Sequence, residues 1–435
     1  MDHSRAKLAS GATGYQATKG RFTMEHKCGR QRRWLTASCA GAISVLWPNV
    51  SATVASVVRP EAASVVRPEV VQLAGGGYSA YAVGKDGSVW AWGDDLEGQL
   101  GNGTDSAISL VPVRVLRLSG VVAVAASANS AYALQGNGSV WAWGDNATGE
   151  LGTGNEAYTS ELPVEVRDIG RITLLAAGDL SAYALQQDGT VWAWGNNAFG
   201  QLGRGVGSSE ADVPVEVRGL SDVEGLAAGA NAAYALSRGG TVWAWGDNTF
   251  GELARRAGAL VGTSPVKVTQ LTQVSAIAAS AYTAFALEHD GTVWSWGDGS
   301  FGELGDGDCK QASSACPPSS GPVLVRTLNH VIAIAAGGYA AYALESNGSV
   351  WAWGDGAEGQ LGDRSIASAD VTVRVIGLRN VVAIAAGGSA AYALENNGSV
   401  WAWGDGDYGQ LGDGAFWGSD VPQSVEFSGT PRAPS

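Results

Sequence analysis

A Trp-x-Trp-Gly tetrad occurs seven times in the chain, at Trp90 and Trp92, Trp141 and Trp143, Trp192 and Trp194, Trp243 and Trp245, Trp294 and Trp296, Trp351 and Trp353, and Trp401 and Trp403. Successive copies stand 51, 51, 51, 51, 57 and 50 residues apart. A period this constant means that one supersecondary unit is repeated, and that each copy buries its apolar surface against its neighbours. The tetrads use 14 of the 17 tryptophans, so the indoles are read as core of the repeat rather than as a ligand cage.

Each unit reads as four short strands. VVAIAA at 381–386 opens the last unit, AAYAL at 390–394 follows a Gly-containing turn, and SVWAW at 399–403 follows Asn397-Gly398. Asn-Gly and Asp-Gly pairs between alternating apolar runs signal a two-residue hairpin, with positive φ expected at both turn positions. A loop such as WGDGDYGQLGDG then leads to a fourth strand, exemplified by VPVRV at 111–115. In VWAW, alternation puts Val and Ala on one side and both Trp on the other. No Gly-free stretch of ten residues shows helical periodicity. Seven four-stranded units without helices to cover them predict an all-β, seven-bladed propeller of antiparallel blades, because radial closure protects the sheet edges. The propeller is placed at 70–427. Its ring is expected to close by pairing of the chain termini, with VPQSVEF at 421–427 completing the first blade beside Val70 to Leu73. The duplicated SVVRPE at 56–61 and 64–69 is the other candidate for that strand; Pro60 and Pro68 make 56–69 an edge strand or linker.

Residues 1–55 follow a different plan. They hold eight basic residues against Asp2 and Glu25, and from Met24 a basic stretch runs into LTASCAGAISVLW and then SATVA. That order predicts a signal peptide over 24–55 with cleavage after Ala55, and hence a secreted, extracellular protein. No later apolar run is long enough to span a bilayer, so no membrane association is expected after signal removal. The whole chain carries a net charge of -14, and residues beyond 55 carry 19 basic against 39 acidic side chains. Nucleic-acid binding needs the opposite balance. Cys309 and Cys316 flank the insertion that lengthens one repeat to 57 residues, and they are expected to form a disulfide in an exported chain. No cofactor and no metal site are expected. GDGD at 404–407 lacks the spacing of a calcium loop, and the four histidines form no cluster. Residues 428–435 are read as a tail.

The unit AAGGxxAYALxxNGSVWAWGDGxxGQLG resembles the regulator-of-chromosome-condensation (RCC1) repeat over residues 70 to about 427. The resemblance implies a seven-bladed propeller. It implies function less narrowly, since that family includes a nuclear exchange factor, plant ultraviolet-B receptors and secreted bacterial inhibitors of beta-lactamase, the last being closest in context. The chain departs from the common repeat at Ser79, Ser130, Ser181, Ala232, Thr283, Ala340 and Ala390, where His is usual, and it lacks the Gly-Trp-Arg-His-Thr pattern of the light sensors.

Three positions vary or carry charge inside this strict repeat. One precedes the second strand: Tyr78, Asn129, Leu180, Asn231, Tyr282, Tyr339 and Ser389. Another precedes the Gly of GQL or GEL: Glu97, Thr148, Phe199, Phe250, Phe301, Glu358 and Tyr408. A third follows Trp-Gly: Asp94, Asp145, Asn196, Asp247, Asp298, Asp355 and Asp405. The resemblance to the secreted inhibitors implies that these loops face a protein partner, with aromatic anchors inside a polar rim. The acidic surface would suit a partner with a basic face. The carboxylates have a second reading as braces of their own turns. The expectation is therefore a monomeric, secreted protein-binding propeller, an inhibitor of an extracellular enzyme such as a beta-lactamase being one form of it. A carbohydrate or cell-surface adhesion module is the alternative, through stacking on a glycan. An enzyme is less favoured: acid pairs such as Asp95 and Glu97 exist, but no acid-base constellation does.

Overall fold

The computed structural model describes residues 68–427 apart from 105, 156, 206, 208, 256–259 and 309–315. The signal segment, most of the 56–69 linker, Cys309 and the 428–435 tail lie outside the described residues, so the Cys309 to Cys316 bond is not tested. The described chain forms seven four-stranded antiparallel sheets, each from consecutive strands. In blade 1 these are β1 (Val70–Gly75), β2 (Ser79–Gly84), β3 (Val89–Asp94) and β4 (Ile108–Arg114). Blades 2 to 7 occupy 121–165, 172–216, 223–267, 274–324, 331–374 and 381–424. The innermost strand of each blade packs against those of both neighbours, and Val381–Ala386 of blade 7 packs against β1, which closes the ring.

Both Trp of the Val-Trp-Ala-Trp run lie on one face of the strand, and their place along it decides which indole enters the core. The second Trp of every tetrad is fully buried, while the first, two residues earlier on the same face of the strand, is half-buried. Each buried indole lies between blades and donates its Nε1-H to a main-chain carbonyl of the preceding blade. Trp143 reaches Gln99 O, Trp194 reaches Glu150 O, and the series returns on itself with Trp92 to Gln410 O, all at 2.7–2.9 Å. Six of these carbonyls also accept the hydroxyl of a tyrosine on the second strand of their own blade, such as Tyr132 on Glu150 O at 2.9 Å. Phe285 has no hydroxyl, so Glu303 O takes the indole of Trp353 alone from this pair.

Farther from the axis, the long third loop of one blade reaches the outer strand of the next: Gly103 N-H donates to Glu161 O, Gly154 to Asp212 O, and Gly414 to Leu110 O. The outer strands carry Pro112, Pro163, Pro214, Pro265, Pro322 and Pro422 at one equivalent position, removing a donor from edges that would otherwise recruit another strand. The Gly that ends each tetrad is also dictated by geometry. Gly246 sits at φ 105°, and a Cβ there would overlap the carbonyl oxygen of Asn231.

Two expectations need correction. The last strand, Ser419–Ser424, pairs with Val400–Gly404 of its own blade, and blade 1 is four-stranded with β1–β4, so among the described residues blades 1 and 7 share no sheet. The repeat boundary falls before an innermost strand, which leaves the fourth strand's partner in its own unit. The ends are tied by side chains instead: Phe427 lies edge-on to Trp90 and Trp92 of blade 1, with centroids 6.0 Å away in both cases. The hairpin between second and third strands also differs from the two-residue turn. Gly87 N-H donates to Gly84 O and only Gly87 takes positive φ, at 74°, while Asp86 stays on the negative side and accepts Ser88 N-H through Oδ1. That is a type I turn followed by a glycine bulge, a three-residue solution in which the Asx side chain braces the chain.

Candidate functional site

Both variable positions fall on one end of the propeller. Ser79 pairs with Gly93, so the β1–β2 hairpin and the β3–β4 loop emerge side by side, as they do in every blade. A repeated hydrogen bond joins them: the N-H of the residue after Trp-Gly donates to the carbonyl of the variable hairpin residue, as from Asp94 to Tyr78, Asp247 to Asn231, Asp298 to Tyr282 and Asp355 to Tyr339.

Along this face the aromatic side chains obey one rule. The loop residue of a blade packs on the hairpin residue of the next. Phe250 of blade 4 meets Tyr282 of blade 5 with centroids 5.3 Å apart, Phe301 of blade 5 meets Tyr339 of blade 6 at 5.3 Å, and Tyr408 of blade 7 meets Tyr78 of blade 1 at 4.5 Å. Tyr282 and Tyr339 also touch, at 6.3 Å, so Phe250, Tyr282, Tyr339 and Phe301 make a continuous arc over three blades. The seven aromatic residues at the two positions thus form an arc of four, a separate pair of Tyr78 and Tyr408, and Phe199 in neither. At the other four blade pairs the equivalent positions hold polar or mixed residues: Glu97 and Asn129, Thr148 and Leu180, Phe199 and Asn231, and Glu358 and Ser389.

The acidic residues after Trp-Gly brace their own loops. Asp145, Asp247, Asp298, Asp355 and Asp405 each accept, through Oδ1, the main-chain N-H two residues on, at 2.9–3.1 Å. Asp94 accepts the side-chain amide of Gln99 at 3.0 Å. Asp94, Asp247 and Asp298 are buried, and Asp145, Asp355 and Asp405 are half-buried. Burial, opposed by these hydrogen bonds, raises the carboxyls of Asp94, Asp145 and Asp405 above the usual aspartate range. Glu358 is raised too, by burial and then by Asp405, Asp407 and Asp355. Among the described residues, no group of three or more His, Cys, Asp or Glu is arranged to hold a metal ion.

A second-layer position escaped the sequence reading. The residue before Leu in GQL and GEL is buried in every copy, as Gln99, Glu150, Gln201, Glu252, Glu303, Gln360 and Gln410, and its side-chain oxygen accepts the N-H of the partner-position residue two before it. The signal was available, since only Gln and Glu occur there. Exposed loop-tip side chains were missed as well: Trp417 is 78% exposed, Tyr158 76% and Ile366 70%. Trp417 is the one tryptophan of the propeller outside the tetrads, which marks it in the sequence.

Blade 1 carries a related departure. Asn146, Asn197 and Asn248 each accept a Leu N-H through Oδ1, and Asn146 Nδ2 donates to Ala157 O at 2.6 Å. Blade 1 has Asp95 in this place. Its Oδ1 accepts Leu100 N-H at 2.9 Å, its buried Oδ2 has no partner, and burial pushes the carboxyl up to about 7. The folded state thus holds a proton that the unfolded chain releases near pH 4, so stability falls as pH rises from that value to about 7. Asp95→Asn is expected to raise unfolding free energy by about 1–3 kcal/mol at pH 8 and to change it little at pH 4. Urea melts at the two pH values check this; an equal effect at both would refute it.

Seven such units closed in a ring, with one variable, aromatic loop face, define the class as a repeat-built β-propeller. The RCC1-like domain model matches residues 22–319, and RCC1 repeat models match 331–360, 347–394, 381–410 and 397–432; the chain belongs to the RCC1 family. It is 32% identical over 307 residues to the E3 ubiquitin-protein ligase HERC2 of Homo sapiens, a match covering 68% of this chain but 6% of that protein. It is 29% identical over 304 residues to the ultraviolet-B receptor UVR8 of Arabidopsis thaliana, covering 67% of each. Among solved structures, Prp20p of Saccharomyces cerevisiae superposes with a TM-score of 0.69 at 22% identity, over 78% of this chain and 86% of that one. Human WBSCR16 gives 0.68 at 21% identity, over 78% and 94%. At such identities these structures speak to the fold.

Proposed function

We propose that this chain is a protein-binding propeller whose loop face is the contact surface, centred on Phe250, Tyr282, Tyr339 and Phe301. The observation that carries the reading is the inter-blade aromatic arc, with Phe301 exposed and its three neighbours half-buried. Rings already packed on one another lose little side-chain freedom on binding, which favours their use as anchors. They are tilted by 42–59° to one another and partly covered, a surface better matched to a protein than to the flat face of a sugar. Prp20p, of the same fold, is described as binding Gsp1p and histones, which supports a protein partner. In its finer form the proposal is an exported binder that docks on a basic face of an extracellular protein, an enzyme it inhibits being the leading case, with Asp145, Asp355, Asp405 and Glu358 supplying the acidic rim. Tyr78, Tyr408, Phe199, Glu97, Asn129, Leu180 and Asn231 extend the same face.

The triple variant F250A/Y282A/F301A tests this. Against a partner captured from culture supernatant by the wild-type chain, its affinity is expected to fall at least about a hundredfold, while the melting temperature moves only a few degrees. Undiminished capture by the folded variant would overturn the reading.

A further inference from the structure

We propose that the loops of blades 4 and 5 form a proton-dependent clasp: protonated Glu252 and Glu303 hold Phe250 and Phe301 in the aromatic arc, and ionisation of these two carboxyls releases the loops. As regulation of the binding face this rests on the function proposed above; the clasp itself is defined without any partner.

The seven repeats supply the control. In three of the four copies with Gln as the buried second-layer residue, its oxygen holds the partner-position N-H and its amide donates to the residue after Trp-Gly: Gln99 Nε2 to Asp94 Oδ2 at 3.0 Å, Gln201 Nε2 to Asn196 Oδ1 at 3.1 Å, and Gln360 Nε2 to Asp355 Oδ2 at 3.3 Å; Gln410 makes the first contact alone. Glu252 and Glu303 keep the first contact, each accepting Phe250 or Phe301 N-H through Oε2 at 2.8 Å. Their Oε1 atoms replace the amide donor with an acceptor. Both Oε1 atoms are buried without a partner. A carboxylate in that place would set two acceptors and two charges against each other in low dielectric; a proton on the Glu restores the donor that Gln provides. Glu150 escapes the conflict, because the Thr148 hydroxyl donates to its Oε1 at 2.6 Å.

Among the described residues, every titratable group that bears on the pair is acidic or phenolic. Glu252 faces Asp247 in its own loop, Asp298 from blade 5 and the Tyr234 phenol, while Glu303 faces Asp298, Asp355 from blade 6 and the Tyr339 phenol. Burial first, with these aspartates adding to it, pushes Glu252 up to about 7 and Glu303 up to about 8. The closed loop therefore holds a proton that an opened, solvated loop gives up near the ordinary glutamate value. Closure weakens as pH rises from there, until it levels off near 7 in blade 4 and near 8 in blade 5.

Amide hydrogen exchange of the partner-free full chain at pH 6 and 8.5, corrected for intrinsic exchange rates, tests the clasp. Protection is expected to fall about tenfold at Phe250 and about a hundredfold at Phe301. Phe199, Glu358 and Tyr408, held by glutamines, are expected to keep theirs. E252Q/E303Q is expected to abolish the pH-dependent loss. Equal behaviour of all these loops in the wild type, which requires no variant to fold, would overturn the proposal, as would a loss that persists in the double variant. If the aromatic arc binds no protein, the exchange result is unaffected, so the two readings fail separately.

Discussion

Trp194→Ala is expected to lower the unfolding free energy by about 3–5 kcal/mol, whereas Trp192→Ala, two positions away on the same strand, is expected to cost about 1–2 kcal/mol. The two indoles share a face of the strand and differ in their place along it. Trp194 is fully buried between blades 2 and 3, edge-on to Tyr132 with centroids 5.9 Å apart, and its Nε1-H reaches Glu150 O at 2.7 Å. Removing it opens an indole-sized cavity at a blade junction, and the ring has no spare volume with which to collapse it. The Tyr132 hydroxyl still satisfies Glu150 O, so the loss is one of packing and of the inter-blade bond rather than of an orphaned carbonyl. Trp192 is half-buried at the margin of the same cluster and donates to Gln186 Oε1 within its own blade at 2.8 Å, so its removal opens a smaller gap and breaks no inter-blade hydrogen bond. Chemical denaturation of both variants decides the matter. Equal costs would mean that the inter-blade indoles do not couple the blades.

The blade plan was legible in the chain because each strand is short, strictly alternating and bounded by Gly. Val381–Ala386 and Val400–Gly404 fall where their apolar runs predict, within one residue. Which Trp of a pair is core does not follow from alternation, which puts both on one face; it depends on how far along the strand the neighbouring blade covers them. The shared terminal blade failed for a different reason: it was inferred from how rings are commonly tied, while the register of this chain starts each unit at its innermost strand. The positions of Phe250, Tyr282, Tyr339 and Phe301 were readable as variable sites in a strict repeat. Their pairing was not, because it joins a loop in one unit to a hairpin in the next, about 32 to 38 residues on, and depends on the blade-to-blade rotation. The acid-for-amide exchanges at Asp95, Glu252 and Glu303 are visible as letters; their consequence appears only when burial shows that solvent cannot supply the missing donor.

Phe427→Ala is expected to cost about 3–5 kcal/mol and to open the ring at a single place, between blades 7 and 1. Six of the seven junctions are crossed by the chain itself, so lost contacts there are held near their partners by a covalent link. The seventh has no such link and, among the described residues, no shared sheet. It relies on the Trp92 indole bonded to Gln410 O, on the Gly414 N-H bonded to Leu110 O, on the Gly388 N-H bonded to Gly76 O, and on the wedge of Val425 and Phe427 against Trp90, Trp92, Val70 and Leu73. Phe427 is the last described residue and touches both indoles of the first tetrad, so truncating it removes the largest side chain of that wedge. A comparable cavity at a covalently crossed junction, made by Leu118→Ala between blades 1 and 2, is expected to destabilise without directing where opening begins. Limited proteolysis with hydrogen exchange separates the two. For Phe427→Ala, exchange should rise first in β1 and in the Val381–Ala386 strand, at temperatures where blades 3 to 5 stay protected. Uniform loss of protection around the ring would show that closure is spread over all seven junctions rather than concentrated at the one the chain does not cross.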